Sequence, residues 1–336
     1  MKCFAYYRLP YANQFTSVES DCDPLILDSI ESIGEKSGFV IAPFAASAEH
    51  PIVLIRPDRV AIERCKPIAE PPYPSAVAND HKSPSPEYVS AFSRFHDAVS
   101  NGEFQKLVLS RKEEMSMEVK DCKELFQKAC TMYPRLMIML FHTNETGTWF
   151  VASPEILVDG KHKCFHTIAL AGTMPYKEGY AEWSSKNMAE QQVVERYIES
   201  TIAPLCVQVT KDGPITSRAG NLVHLRTDFR FSLDERYTLG QFVAKLHPTP
   251  AVCGLPKSQA IQFILDNEGT DRTYYSGFAG PVDVNDETHL YVLLRCATIG
   301  DKVTLYAGGG IMPDSVVEQE WIETEKKMET IGNVFK

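Results

Sequence analysis

The segment Leu305–Lys327, LYAGGGIMPDSVVEQEWIETEKK, holds the densest set of groups that could do chemistry. Glu320, Glu323 and Lys327 recur at i, i+3 and i+7, so a helix carries them on roughly one face. Ile331 and Val334 continue that line, which turns the face toward a core. Carboxylates on an apolar line need a partner, because an unpaired buried charge is costly. Mg²⁺ is a fitting one, since it takes oxygen ligands and keeps several waters. The plainer alternative is an exposed Glu323–Lys327 pair, worth about 0.3–0.5 kcal/mol. Just upstream, an apolar run from Val303 to Ala307 reads as a strand and leads into Gly308, Gly309 and Gly310. Consecutive glycines can adopt backbone angles barred to other residues and let a ligand approach bare amides. Asp314 or Ser315 is placed to cap the helix, which is expected to run to about Asn333.

Three further ionisable residues interrupt apolar patterns. Glu190 falls on the stripe Val194, Tyr197, Ile198, Ile202 and Leu205 of a long helical segment. Arg295 breaks the run YVLLRCATI, where alternation groups it with Leu293, Ala297 and Ile299. Lys106 precedes Leu107-Val108-Leu109 in the same way. A buried arginine usually finds a carboxylate, so an internal ion pair of Arg295 with Glu190 or Glu323 is one reading. Acids and bases on several inward faces also read as a pocket for an anion plus a metal.

The elements that must position these groups are legible in outline. Gly38–Ala42 and Ile52–Ile55 read as strands, and the proline-rich stretch 65–86 as an extended connector. A helix is expected from Pro86 to about Asn101, ended by Gly102, then a strand over FQKLVLSR, Phe104 to Arg111. A helix near 121–132 precedes a hairpin whose arms are 136–142 and 148–152, broken by Ser153-Pro154-Glu155. The strand 164–170 closes in Ala171-Gly172-Thr173, and a long helix spans about 181–206. Strands at 205–210 and 222–231, a Pro/Gly-rich loop at 247–256, a helix at 257–265 and a continuous strand at 290–299 complete the chain. Many strands among few helices suggest mixed sheets rather than strict βαβ winding.

Composition narrows the function. Among 336 residues, 44% are apolar and 23% charged, the profile of a globular protein large enough for one or two domains. No apolar run reaches the ~18 residues of a membrane span, and the N-terminus lacks the apolar core of a signal peptide. Nine scattered cysteines without a CxxC pair fit a reducing cytoplasm better than a disulfide framework. The net charge of −10 disfavours nonspecific binding of nucleic acid or an anionic membrane, so an anionic substrate needs a local cationic site. The triple glycine is no Walker loop, no HExxH is present, and Ser110 and Ser153 lack a nucleophile-elbow context. His224 and His247 read as packed or anchoring residues rather than metal ligands.

Taken together, the segments FQKLVLSR, FVASPEIL, ALAGT, AEQQVVERYI, LVHLRTDF, LHPTPAVCGLP, YYSGFAGPV, YVLLRCATI, LYAGGGIMPDS and QEWIETEKK resemble the chorismate-utilising enzymes, in the family order and over roughly residues 86–336. Residues 1–85 look like the family's divergent N-terminal part of the same fold. Within the family the chain is most similar to the isochorismate synthases. Lys106 stands where those enzymes keep a lysine base, and LHPTPAVCGLP differs from the FPAGT-type segment of the aminating branches. ALAGT lacks the lysine of the PIKGT-like segment, and Gln191 stands where many relatives have histidine.

The resemblance implies an α+β fold: one domain of two packed mixed β-sheets flanked by helices, with the site in the cleft between them. It implies Mg²⁺ on Glu190 and Glu323, with Glu320 beside them, holding the ring carboxylate of chorismate. It implies Lys106 as general base and Glu155 as general acid. Arg295, Lys327, Tyr275 and the amide of Gly308 would hold the enolpyruvyl carboxylate. Leu170, Ala171, Gly172, Thr173 and His224 would border the ring, and Ala251 would shape the pocket. The reaction so implied adds water at ring carbon 2 and expels the hydroxyl from carbon 4. Water attacks poorly and hydroxide leaves poorly, so a base and an acid are both required. Burial beside Phe150-Val151-Ala152 would raise the Glu155 carboxyl into the range of a donor. Rival readings are a salicylate synthase, which also eliminates pyruvate, an aminating relative, and an inactive chorismate-binding protein. No amidotransferase subunit is expected, a monomer is the default, and menaquinone, catechol siderophores and salicylate are all open destinations of the product.

Overall fold

The computed structural model describes residues 2–66, 83–176 and 182–336, so most of the proline-rich connector lies outside the described residues. Its first part runs β1 (Cys3–Arg8), β2 (Gln14–Ser20), β3 (Leu25–Leu27), β4 (Gly38–Ala42), β5 (Ile52–Ile55) and β6 (Arg59–Arg64). Next come α1 (Pro86–Ser100), β7 (Lys106–Met115), α2 (Cys122–Met132), β8 (Met137–Thr143) and β9 (Gly147–Ser153). They are followed by β10 (Ile156–Lys161), β11 (Cys164–Pro175), α3 (Ser185–Ile202), β12 (Cys206–Ala219), β13 (Leu222–Leu233) and α4 (Leu239–Leu246). The chain closes with β14 (Gly254–Leu255), α5 (Lys257–Asn267), β15 (Phe278–Val282), β16 (Thr288–Val292), β17 (Cys296–Ile299), β18 (Val303–Ile311) and α6 (Val317–Phe335).

The strands form two nine-stranded sheets. One has the order β14-β7-β18-β17-β9-β8-β1-β2-β6, the other β12-β13-β11-β10-β16-β15-β4-β5-β3. The α+β fold with two packed sheets is as expected, but the sheets are not mixed. Every pairing among the described strands is antiparallel. Short hairpins such as β8–β9 need no crossover helix, which is why few helices serve so many strands. Residues 2–66 supply three strands to each sheet.

Three apolar layers hold the sheets and helices together. The inner layer joins Ala5, Met137, Met139, Phe141, Trp149 and Val151 of the first sheet to Phe39, Ile41, Val53, Ile168 and Leu170 of the second. Alternation along each strand sends the other side chains outward. Ile138, Leu140, Phe150 and Leu305 meet α2 and α6 through Phe126, Met328 and Ile331. On the far side Val40, Leu54, Ala169 and Phe229 meet α3 and α4 through Val194, Ile198, Phe242 and Val243. The helix α1 starts where Ser85 accepts the Tyr88 amide at 3.2 Å and Pro86 fills the first turn. It buries Tyr88, Phe92, Phe95 and Val99 against β7.

Three local expectations fail. The run 290–299 is not one strand. It ends at Val292, the chain crosses from the second sheet to the first, and Arg295 sits at the crossing with φ +48° before β17 begins. The strand that begins at Val303 does not end at Ala307 before the three glycines. They lie inside β18, with Gly308, Gly309 and Gly310 opposite Ser110, Leu109 and Val108 of β7. Neither Asp314 nor Ser315 caps α6, whose first turn has no side-chain cap.

Candidate active site

The cleft lies where the ends of β7, β11, β13 and β18 meet the crossing segment and the helices α3 and α6. It encloses about 610 Å³ of atom-free space including its open mouth, the size of a small-molecule site. Its walls include Glu155, Leu170, Ala171, Gly172, Thr173, Glu190, His224, Ala251, Tyr275, Arg295, Gly308 and Lys327. Lys106, Glu320 and Glu323 do not border that space directly, but each contacts a residue near it.

The glycines of β18 are explained by what lies against them. A Cβ at Gly308 would stand 2.9 Å from the Tyr275 hydroxyl, and one at Gly309 2.9 Å from Glu320 Oε2. A Cβ at Gly310 would overlap the Glu190 carboxylate and stand 2.8 Å from Lys106 Cε. The strand is bare so that functional side chains on both of its faces can lie on the backbone. Extended geometry with no side chain, rather than an unusual backbone angle, is what the sequence requires here.

Lys106 opens β7 and is fully buried, its ammonium 2.7 Å from Glu190 Oε1. The contact is an ion pair off the axis of a hydrogen bond, since the ammonium has no aligned acceptor. Glu190 lies on α3, which Ser184 starts by accepting the Asn187 amide at 3.2 Å. The buried stripe of α3 is Gln191, Val194, Ile198 and Ile202, so Glu190 borders the stripe instead of lying on it. Gln191 donates to Ala169 O at 3.1 Å and to Thr227 Oγ1 at 3.3 Å. It therefore pins the helix to the second sheet and leaves Glu190 facing the cleft. Burial pushes the Glu190 carboxyl up, but Lys106, Lys327 and Lys186 outweigh it and hold it below its usual range.

Glu155 follows the Ser153-Pro154 break and is 3% exposed. Thr249 donates to its Oε1 at 3.4 Å. Burial raises its carboxyl to about 7, although Lys106, Thr249, Lys327 and Arg295 all pull the other way. A carboxyl in that range carries a proton near neutral pH and can give it up.

Arg295 has no ion pair with Glu190, with Glu323 or with any other described carboxylate, contrary to the internal-pair reading. Its Nη1 donates to Ala219 O at 3.4 Å and its Nη2 to His224 Nε2 at 2.6 Å. Because His224 Nε2 accepts, its Nδ1 carries the hydrogen and donates to Gly172 O at 3.1 Å. Burial and then the Arg295 and Lys327 charges keep this imidazole neutral, far below its usual range. Burial lowers the guanidinium itself to about 10, so it stays charged. A buried arginine held by neutral acceptors has spare donors and an uncompensated charge, which is what an anionic ligand needs. Lys327 stands nearby, with Gly308 O at 2.8 Å and Glu323 Oε1 at 2.7 Å. That lysine–glutamate pair is part-buried, not the exposed pair of the plainer reading.

Glu320 is 1% exposed. Its Oε1 accepts from Ser315 Oγ at 2.8 Å and from Lys186, while Oε2 is buried without a partner. Burial and the neighbouring Glu323 push it above the usual carboxylate range against the pull of Lys186 and Ser315. An orphaned carboxylate oxygen among acids suits a hard divalent cation, so the donor set fits Mg²⁺ chemically. The three carboxylates are not preassembled around one point, and no group of three metal-ligating side chains is found among the described residues. The lysines occupy that role, one to each acid.

Sequence reasoning missed Lys186, Ser315 and Thr249. Lys186 had a signal: it precedes Glu190 by four residues, one turn away on the same helix face. Ser315 was read as a cap and instead holds Glu320 while accepting the Met312 amide at 3.0 Å. Thr249 lies within the LHPTPAVCGLP segment but carries no local sign of its contact.

Residues 49–336 match the model of the chorismate-binding enzyme family, and the chain belongs to that family. Curated relatives include the vibriobactin-specific isochorismate synthase of Vibrio cholerae, 30% identical over 76% of this chain and 68% of that protein. The isochorismate synthase MenF of Bacillus subtilis is 31% identical over 56% of this chain, which spans 43% of that relative. Among solved structures, MenF, the menaquinone-specific isochorismate synthase from Escherichia coli, superposes with a TM-score of 0.80 at 20% identity, over 100% of this chain and 89% of that one. That superposition establishes the shared fold. No described helix is long and apolar enough to cross a membrane.

Proposed function

We propose that the protein is an isochorismate synthase, converting chorismate reversibly to isochorismate. The observation that carries the reading is the cleft itself. A carboxyl raised to about 7 and a buried, carboxylate-free arginine stand in one cleft, and a fully buried lysine sits on one of its wall residues.

Arg295, with Lys327 beside it, binds one carboxylate of the dianion, and neutral His224 fixes the guanidinium in place. Tyr275, 2% exposed and stacked on Tyr306 at 5.7 Å, walls the same end. Leu170 to Thr173 and Ala251 border the ring. Glu190 and Glu323, with Glu320 beside them, would hold Mg²⁺, which would supply counter-charge for the ring carboxylate. Lys106, acting as the uncharged amine, takes the proton from the attacking water. Glu155 gives its proton to the departing carbon 4 hydroxyl. The two groups come from β7 and from the break after β9, so acid and base are carried by different strands. Incubation of the purified protein with chorismate and Mg²⁺, with products separated by chromatography, tests the reading. Isochorismate alone is expected. Salicylate with pyruvate would make the protein a salicylate synthase, and no turnover with retained binding would make it a binding protein.

A further inference from the structure

Three carboxylates and three ammonium groups stand in matched pairs around the cleft: Glu190 with Lys106, Glu323 with Lys327, and Glu320 with Lys186. Lys106 and Lys327 already have roles in the reaction, and Lys186 has none. It lies one turn before Glu190 on α3 and reaches across to Glu320 in the first turn of α6. Its charge also interacts with Glu323 and Glu190. One tethered cation therefore sits among the same three acids assigned to the metal. This is no surface ion pair, since Glu320 is 1% exposed and its second oxygen has no partner.

The pairs cancel, so a divalent cation entering the cluster meets no net negative charge unless an ammonium leaves. Lys106 is sealed in the interior, and Lys327 is also held by Gly308 O at 2.8 Å. Lys186 has Glu320 as its hydrogen-bond partner and a side chain 21% exposed, so it has a way out to solvent. We propose that Lys186 is a built-in competitor of the divalent cation, an ammonium that holds Glu320 in the metal-free protein and gives way when the metal binds. This rests on the reading of Glu190, Glu320 and Glu323 as the metal site. The device has two effects. It keeps a buried acid compensated when no metal is present, which an isolated charge would not be. It also sets the metal affinity lower than the carboxylates alone would give, leaving the dianionic substrate to complete the charge balance.

The test is calorimetric titration of the metal-free protein with MgCl₂, for the wild type, Lys186→Met, Lys186→Arg and Glu190→Gln. Removing the competing charge should tighten Mg²⁺ binding by about tenfold or more, within the usual range of coupling between two ligands. Lys186→Arg keeps the charge and should bind as the wild type does. Without metal, Lys186→Met should melt at a lower temperature than the wild type, and Mg²⁺ should raise its melting temperature by more. Lys186→Gln, which keeps a donor for Glu320, serves if the methionine variant does not fold. Equal or weaker binding by a folded, uncharged variant overturns the role of Lys186. If that happens while Glu190→Gln still weakens binding, the metal site stands without it. If Glu190→Gln binds Mg²⁺ as the wild type does, the metal reading falls and the competitor with it.

Discussion

Replacing Glu155 by glutamine keeps the shape of the side chain and removes its ionisation. Thr249 can still donate to the remaining oxygen, so the change isolates the charge. The native carboxyl is raised from 4.5 to about 7 by burial. Native protein therefore holds the proton more tightly than unfolded chain, and its stability falls as pH rises through that window. Each tenfold difference in proton affinity between the two states is worth about 1.4 kcal/mol. The ionised group therefore costs the native state about 3 kcal/mol at pH 8 and about 1 kcal/mol or less at pH 5. Glu155→Gln should thus be more stable than the wild type by about 3 kcal/mol at pH 8, with the gain shrinking toward pH 5. Urea denaturation of both proteins at the two pH values measures this. Glu320 is also raised, but it is common to both proteins and drops out of the difference. Turnover should fall by at least about a hundredfold, the usual contribution of a positioned general acid. In the wild type, kcat/KM should decline above pH ~7 as the donor loses its proton. Stability curves that run parallel from pH 5 to pH 8 would refute the buried, raised carboxyl. A glutamine variant that keeps its activity would remove Glu155 from the donor role.

Three more substitutions probe the rest of the site. Lys106→Ala should abolish hydration while Mg²⁺-supported chorismate binding, followed by calorimetry, stays largely intact; substantial turnover would take the base role from Lys106. Glu190→Gln should weaken Mg²⁺ binding, and an unchanged metal dependence of turnover would leave Glu190 with a structural role. Gly310→Ala should cut kcat/KM by roughly a hundredfold or more, since its methyl overlaps the Glu190 carboxylate and crowds Lys106 Cε at 2.8 Å. Near-normal kinetics in that variant would show that the strand can shift aside.

Local pattern carried the reading furthest where one face decides an element. The strands Gly38–Ala42 and Ile52–Ile55 and the helix α1, read from Pro86, follow from apolar spacing. It failed where the chain changes partners. Leu290 to Ile299 is apolar apart from Arg295 and Thr298, and nothing in such a run says that its first part belongs to one sheet and its last to the other. The helix α4 went unread because its eight residues sit between stronger signals. The glycines were judged by backbone freedom, whereas the structure uses their missing side chains. The acids and bases were legible as misfits in apolar patterns, because burying charge is costly enough to leave a trace in sequence. Their partners were not, since Thr249 and Ser315 are ordinary polar residues whose contacts exist only in three dimensions.

The guanidinium of Arg295 is mounted on the link that ties one layer of the molecule to the other. Its position is therefore a gauge of the gap between the layers. Any substitution that widens or narrows that gap, however remote, is read out at the anion end of the cleft as a misplaced arginine. Activity in this protein should accordingly report on the packing of the whole sandwich, and not merely on the few groups that touch the ring.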